Sequence, residues 1–330
     1  MKKIVVLVRE INRKKVFNEK YYNWLRQLGD VKIYDQVDFA DKEYYLDFVK
    51  GANIIITSWG SPAIDQEILD VCPDLELICH AAGTPKAILG AAAIANEIPA
   101  TYSACALGEG VAETALGLAI SGAKRFYWLN QDTHNGMWKD NANKCMDFYD
   151  ITVGVISGGF VGRHFIKLLQ NFNVDVLLYD PTMTAEQVAA LGATKAELEE
   201  MLSKSDVISV HAPSIPATAK MLNASNLHLI KDGALLINTS RGEIFDEPAL
   251  IEELKKGRFY ACIDVTDPEP PALDNELRKL NNVILTPHVA GCITNGQLRI
   301  AKHVCEEVER FVNGEPLRTP VIYANLSKMS

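Results

Sequence analysis

Three apolar runs in the second half of the chain each end in an ionisable side chain of a different kind. "ALLIN" leads into "TSRGE" and delivers Arg241, "FYACID" leads into "VTDPEP" and delivers Glu269, and "VILTP" ends in His288. Ligands of open α/β sheets bind at the carboxyl ends of strands, so one sheet would bring all three groups to one edge. A guanidinium can grip a carboxylate and polarise the adjacent carbonyl through its planar fork of donors. An imidazole can give the carbonyl oxygen a proton during reduction and take it back in reverse. A carboxylate on the other ring nitrogen orients the imidazole and offsets the charge it gains. This set suits hydride transfer to a carbonyl acid, with no covalent nucleophile. Taken singly, each group has an ordinary explanation: a turn cap, a loop residue between Pro268 and Pro270, a satisfied core histidine. Repetition at successive strand ends sets them apart.

Upstream, "ITVGVISGGFVGRHF" reads as a strand, a glycine-rich turn and a helix start. Aligned on its last glycine it is Ser157-x-Gly159-x-x-Gly162, with Asp180 following 18 positions later at the end of "VDVLLYD". In a dinucleotide turn the first glycine makes the bend, the second lets pyrophosphate approach the backbone, and the third seats helix on strand. Ser157 replaces only the first, and Gly158 beside it adds backbone freedom. Asp180 stands where a carboxylate accepts ribose hydroxyls and repels a 2'-phosphate, which favours NAD over NADP.

The elements that must hold these groups alternate along the whole chain. Strands are expected at Ile4–Val8, Val31–Tyr34, Asn53–Thr57 and Leu75–Cys79 with helices between them, forming a first doubly wound unit. A long helix is expected from Val111 to Asn130. Six more strands are expected at Ile151–Ile156, Val174–Tyr179, Val207–His211, Ala234–Asn238, Phe259–Asp264 and Val283–Thr286, the count of a full dinucleotide fold. A last helix, Ile293–Asn313, is expected to return to the N-terminal unit. The fold class is therefore α/β, with two doubly wound parallel-sheet domains and a cleft between them. At 330 residues the chain is long enough for both.

Composition narrows the function. The chain is 48% hydrophobic and 23% charged with a net charge of -9, which offers no basic surface for nucleic acid or anionic membranes. The N-terminal "MKKIVVLVREINRKK" has too short an apolar run for a signal peptide or a span and reads as a strand. Seven scattered cysteines without CxxC or zinc spacing point to a reduced, cytoplasmic protein that binds no metal.

On "GVISGGFVGRHF", "VISVHAPSIPATAKML", "ALLINTSRGEIFDEPALIEELKKG", "ACIDVTDPEP" and "NNVILTPHVAGCIT", the sequence resembles the NAD-dependent D-isomer-specific 2-hydroxyacid dehydrogenases. The resemblance implies an NAD(H)-binding Rossmann domain, residues 103–291, inserted in a flavodoxin-like substrate domain, residues 1–102 and 292–330. It implies catalytic roles for Arg241, Glu269 and His288. It also implies cofactor contacts from Ser157, Gly159, Phe160, Val161, Gly162, Asp180, Ala212, Thr218, Thr239 (near the nicotinamide) and Asp264 (on its carboxamide). The partners it implies are a small 2-oxo or 2-hydroxy acid and a second copy, in a homodimer formed through the cofactor domain and the helix that begins "GEGVAETALGLAI" with Glu113.

Two features set this chain apart from that pattern: Ser157, and the loop "AAGTPKAIL" where relatives read close to "GVGVDNID". Backbone amides at Ala82, Gly83 and Thr84 can still bind a carboxylate, since that contact needs no particular side chain. Trp59 in "TSWGSP" is expected either to limit space for the substrate's side chain and so favour small acids, or to pack at the domain surface. Arg9, just past the first strand, is expected either to meet a charged substrate tail or to pair on the surface. The rival reading is an NADH-sensing regulator on the same fold, against which the intact Arg241, Glu269 and His288 stand. A formate dehydrogenase would pair its histidine with glutamine, and Glu269 argues against that.

Overall fold

The computed structural model describes residues 1–328. Two compact units emerge, Met1–Leu107 with Cys292–Ser330, and Gly108–Gly291. In the first, five parallel strands run in the order β2-β1-β3-β4-β5: β1 Lys3–Val6, β2 Asp30–Ile33, β3 Ile54–Thr57, β4 Leu77–His80 and β5 Ala100–Tyr102. Ile54, Ile55 and Ile56 are all fully buried, which requires cover on both faces of the sheet. One cover is the helix Leu298–Val312, whose Ile300, Ala301, Val304 and Val308 pack with Ile4, Val6, Ile54 and Leu77. β5 is an additional strand that the apolar pattern did not indicate: only three residues long, it follows Pro99 directly.

The second unit holds seven parallel strands in the order β12-β11-β10-β9-β6-β7-β8: β6 Tyr149–Ile156, β7 Asn173–Tyr179, β8 Thr194–Lys195, β9 Val207–Val210, β10 Leu235–Asn238, β11 Tyr260–Ile263 and β12 Val283–Leu285. The first six in chain order make the doubly wound dinucleotide arrangement, with the reversal of strand order between β6 and β9. The expected count of six is corrected to seven, because the two-residue β8 carries no apolar run. His288 thus follows a seventh strand.

The long helix is also corrected. It spans Ala104–Ala123 and breaks before a second helix, Phe126–His134. Arg125 between them adopts φ 56°, is 2% exposed, donates to the carbonyls of Gly122 and Gly233, and lies 3.8 Å from the Tyr260 ring centroid. A buried arginine satisfied by carbonyls and an aromatic face fixes the turn. By length and composition, Ala104–Ala123 is apolar enough to cross a membrane. Here its Ala112, Ala115, Ala119 and Ala123 pack on Val153, Val155 and Leu235.

Candidate active site

β10, β11 and β12 are neighbours, and Arg241, Glu269 and His288 follow their carboxyl ends in turn. His288 Nδ1 lies 2.7 Å from Glu269 Oε2. A carboxylate only accepts, so the Nδ1 proton is assigned from its partner, and Nε2 is left for a ligand. The other Glu269 oxygen accepts from Thr266 N at 3.2 Å, so the carboxylate is held before it orients the ring. Both side chains remain partly exposed.

His288 itself is strained. Its φ of 53° lies in the left-handed region, where a side chain costs about 1–2 kcal/mol. Asp264, 2% exposed, holds that conformation: its carbonyl accepts from His288 N at 2.8 Å, Oδ1 from Thr286 Oγ1 at 2.5 Å and Val289 N at 3.0 Å, and Oδ2 from Ala290 N at 2.8 Å. About four lone-pair sites are available on a carboxylate, so one remains on Oδ2.

Arg241 is exposed, and among the described residues its guanidinium has no acidic partner; Nη1 donates to Ser240 O at 2.7 Å. Asn238 builds its loop by donating from Nδ2 to Arg241 O and accepting from the Ser240 amide and hydroxyl. A Cβ on Gly242 would come within 2.1 Å of the Thr266 carbonyl carbon, so glycine is required where this loop presses on the one carrying Glu269. Neither Asn238 nor Gly242 was singled out in the sequence, although both sit in the quoted "INTSRG".

The glycine turn follows β6 at the reversal of strand order. Ser157 adopts φ 76° and donates from its amide to Tyr179 O at 2.8 Å. A Cβ on Gly162 would lie 2.0 Å from Ser157 O, whereas one on Gly159 meets nothing closer than Ser157 Oγ at 3.9 Å. Gly162 therefore seats the helix Phe160–Leu169, and Gly159 leaves open space over its N-terminus, where the first-turn amides have no helical acceptors. Val161 is part of that first turn. Arg163 Nε donates to Gly158 O at 2.7 Å and braces the turn, a support the motif alone did not reveal.

Asp180 is nearly buried and accepts at Oδ2 from Gly158 N at 2.8 Å and at Oδ1 from Thr182 N and Oγ1 at 2.9 and 2.7 Å, which leaves one acceptor site for a ribose hydroxyl. Thr239 Oγ1 is buried without a partner among the described residues, an orphan polar atom that a ligand's polar group would satisfy. Ala212 is buried just past β9, while the Thr218 hydroxyl is committed to its own turn with Pro213 and Ile215. Just past β9, the His211 ring packs tilted against Phe165 with centroids 5.2 Å apart, and burial holds its imidazole down to about 3. The open turn, the spare Asp180 site and the orphan Thr239 hydroxyl fit a dinucleotide.

Residues 116–290 match the model of the D-isomer specific 2-hydroxyacid dehydrogenase NAD binding domain. The chain belongs to this family. It is 30% identical over 279 residues to a glyoxylate reductase of Korarchaeum cryptofilum, covering 83% of this chain and 84% of that one. To a D-3-phosphoglycerate dehydrogenase of Archaeoglobus fulgidus it is 28% identical over 305 residues, 92% of this chain, but it spans only 57% of that relative's length. A phosphoglycerate oxidoreductase from Rhizobium etli superposes with a TM-score of 0.84 at 22% identity, over 97% of each chain, which establishes the shared fold. NAD(H) is the cofactor of the matched domain.

The first unit has its own carboxyl edge. His80, at the end of β4, has Nδ1 3.0 Å from Thr57 Oγ1 and bonds the Thr84 backbone, and burial lowers its imidazole to about 4. Ser58 Oγ donates to Ala81 O, and Ser103 N to Ala82 O. Among the described residues the amides of Ala82, Gly83 and Thr84 have no acceptor, and Thr84 Oγ1 is a buried orphan. Trp59, after β3, is 40% exposed.

Proposed function

We propose that the protein is an NAD-dependent oxidoreductase that interconverts 2-oxo acids and D-2-hydroxy acids. The observation that carries this reading is the 2.7 Å His288–Glu269 pair beside an Arg241 without an acidic partner. His288 Nε2 gives a proton to the substrate's carbonyl oxygen in reduction and takes it in oxidation, while Glu269 keeps Nδ1 protonated and offsets the imidazolium charge. Arg241 grips the carboxylate and carbonyl. NAD(H), when bound, supplies or accepts the hydride. Ser157, Gly159, Phe160, Val161, Gly162 and Asp180 would hold its pyrophosphate and adenosine ribose, with Ala212 and Thr218 along the cofactor, Thr239 near the nicotinamide and Asp264 on its carboxamide. Ala82, Gly83 and Thr84 receive the substrate carboxylate, and Trp59 limits the width of its side chain.

The protein acts as a homodimer in a reduced, cytoplasmic compartment on this reading. Support comes from the apolar helix Ala104–Ala123, much of it only partly buried, the nearby exposed Phe126 and Tyr127, and the seven free cysteines. The experiment is NADH consumption against glyoxylate, hydroxypyruvate, pyruvate, a branched-chain 2-oxo acid and phenylpyruvate. Turnover that collapses in His288→Ala while NADH still binds is expected. NADH binding without turnover of any acid would favour a sensor instead.

A further inference from the structure

The carboxyl edge of the first sheet carries a cation without an anion. Arg9 follows β1, and among the described residues its side chain makes no hydrogen bond or ion pair; the neighbouring Glu10 is taken by Lys14. Arg9 Nε is shut away from water with no acceptor, a condition rare enough in folded proteins to call for a reason. The guanidinium leans across the adjacent strand end. A Cβ built on Gly60 would lie 3.1 Å from Arg9 Cζ and 3.3 Å from Nε and Nη2, so the group rests closely on the Trp59–Gly60 turn. Gly60 has φ 74°, which glycine adopts without strain, and Asn12 Nδ2 donates to Trp59 O to fix the turn.

β1, β3 and β4 lie side by side. Arg9 reaches from the first to the end of the second, and the acceptor-free amides of Ala82, Gly83 and Thr84 follow the third. Neighbouring strands are about 4.8 Å apart, so the guanidinium and the amides are separated by roughly one strand spacing. A short carbon chain joining two anionic groups spans that gap.

We propose that Arg9 determines specificity by binding a second anionic group, so that the preferred 2-oxo acid carries a carboxylate or phosphate at the far end of a short side chain. This rests on the reading that Ala82, Gly83 and Thr84 hold the first carboxylate. An apolar side chain would cover the guanidinium and leave it unpaired, whereas an anion forms charge-assisted hydrogen bonds with it. Trp59, on the same turn, would keep the tail slender. Glyoxylate, with no tail, leaves Arg9 unused.

The test compares kcat/KM for oxaloacetate, 2-oxoglutarate and phosphohydroxypyruvate with that for pyruvate, 2-oxobutyrate and hydroxypyruvate, in the wild type, Arg9→Met and Arg9→Lys. The anionic set is expected to lead in the wild type, and the ratio of anionic to neutral substrates to fall about 10- to 100-fold in Arg9→Met, through KM rather than kcat. Arg9→Lys should recover part of the ratio, which a mere packing role would not. Precedence of phosphohydroxypyruvate over the two dicarboxylates, or the reverse, tells which anion is bound. Equal ratios in wild type and Arg9→Met overturn the proposal. Should no 2-oxo acid be reduced, the reaction class falls, and titration of the NAD-loaded protein with malate decides for Arg9 alone: binding lost in Arg9→Met upholds it, and no binding to the wild type overturns it.

Discussion

Asp264 and His288 are joined through the backbone: the Asp264 carbonyl accepts from His288 N at 2.8 Å, while its carboxylate takes the next two amides and the Thr286 hydroxyl. The strained His288 conformation is therefore held by one buried residue past the neighbouring strand, whose carboxylate fixes the chain on either side of the histidine. Asp264→Asn keeps the volume but turns an NH2 toward donors, leaving at least one buried amide unpaired. The expected result is a stability loss of about 1–3 kcal/mol in denaturant unfolding and a kcat lowered about 10- to 100-fold. Lost stability with unchanged kcat would show that the histidine finds its position without this bracket.

Glu269→Gln keeps an acceptor for His288 Nδ1 but removes the negative charge. A hydrogen bond to a charged group is worth about 1.5–3 kcal/mol, so kcat should fall about 10- to 100-fold while the dissociation constant of NADH stays within about 2-fold. Stopped-flow fluorescence of NADH binding alongside steady-state rates separates the two. An equal fall in NADH affinity would mean that Glu269 supports the cofactor site rather than the imidazole.

At the cofactor turn, Ser157 holds a backbone conformation suited to glycine, and Gly162 packs against its carbonyl. Ser157→Gly relieves about 1–2 kcal/mol of left-handed strain and gives back about 0.4–1 kcal/mol in unfolded-chain entropy, so a net gain of roughly 0.5–1 kcal/mol is expected in urea unfolding. Turnover should be retained. Gly162→Ala drives a methyl into the Ser157 carbonyl, and NADH titration should show affinity reduced about 10-fold or more. A Ser157→Gly protein no more stable than the wild type would place the strain elsewhere in the turn.

The strands were legible because their apolar runs are buried on both faces, as in "ALLIN" and the end of "ITVGVI". β8 was not, since Thr194 and Lys195 pair at a sheet edge without an apolar run. The break at Arg125 was hidden for a different reason: an arginine reads as a surface residue until the carbonyls of Gly122 and Gly233 and the Tyr260 ring surround it. The chemistry-bearing side chains were visible at strand ends, but their supports were not. Asn238 and Arg163 act through loop conformations that spacing does not encode, and so does the bracing of His288 by Asp264, a residue expected only on the cofactor's carboxamide.

Acid should loosen both units through imidazoles that burial keeps neutral. His80 is held at about 4 and His211 at about 3, each below the ordinary value of 6.5, with burial the first cause in both. Below about pH 6.5 the unfolded chain takes up a proton at each site that the folded chain refuses. Stability then falls with pH, at up to about 1.4 kcal/mol per unit for each group, until His80 titrates near 4 and His211 near 3. Above pH 6.5 neither site contributes a slope. Urea midpoints for the wild type, His80→Gln and His211→Gln between pH 7.5 and 4.5 isolate the effect, because the carboxylates titrate alike in all three. Each variant should lose less stability across that range than the wild type does. Parallel curves would mean that the imidazoles gain their protons within the folded protein.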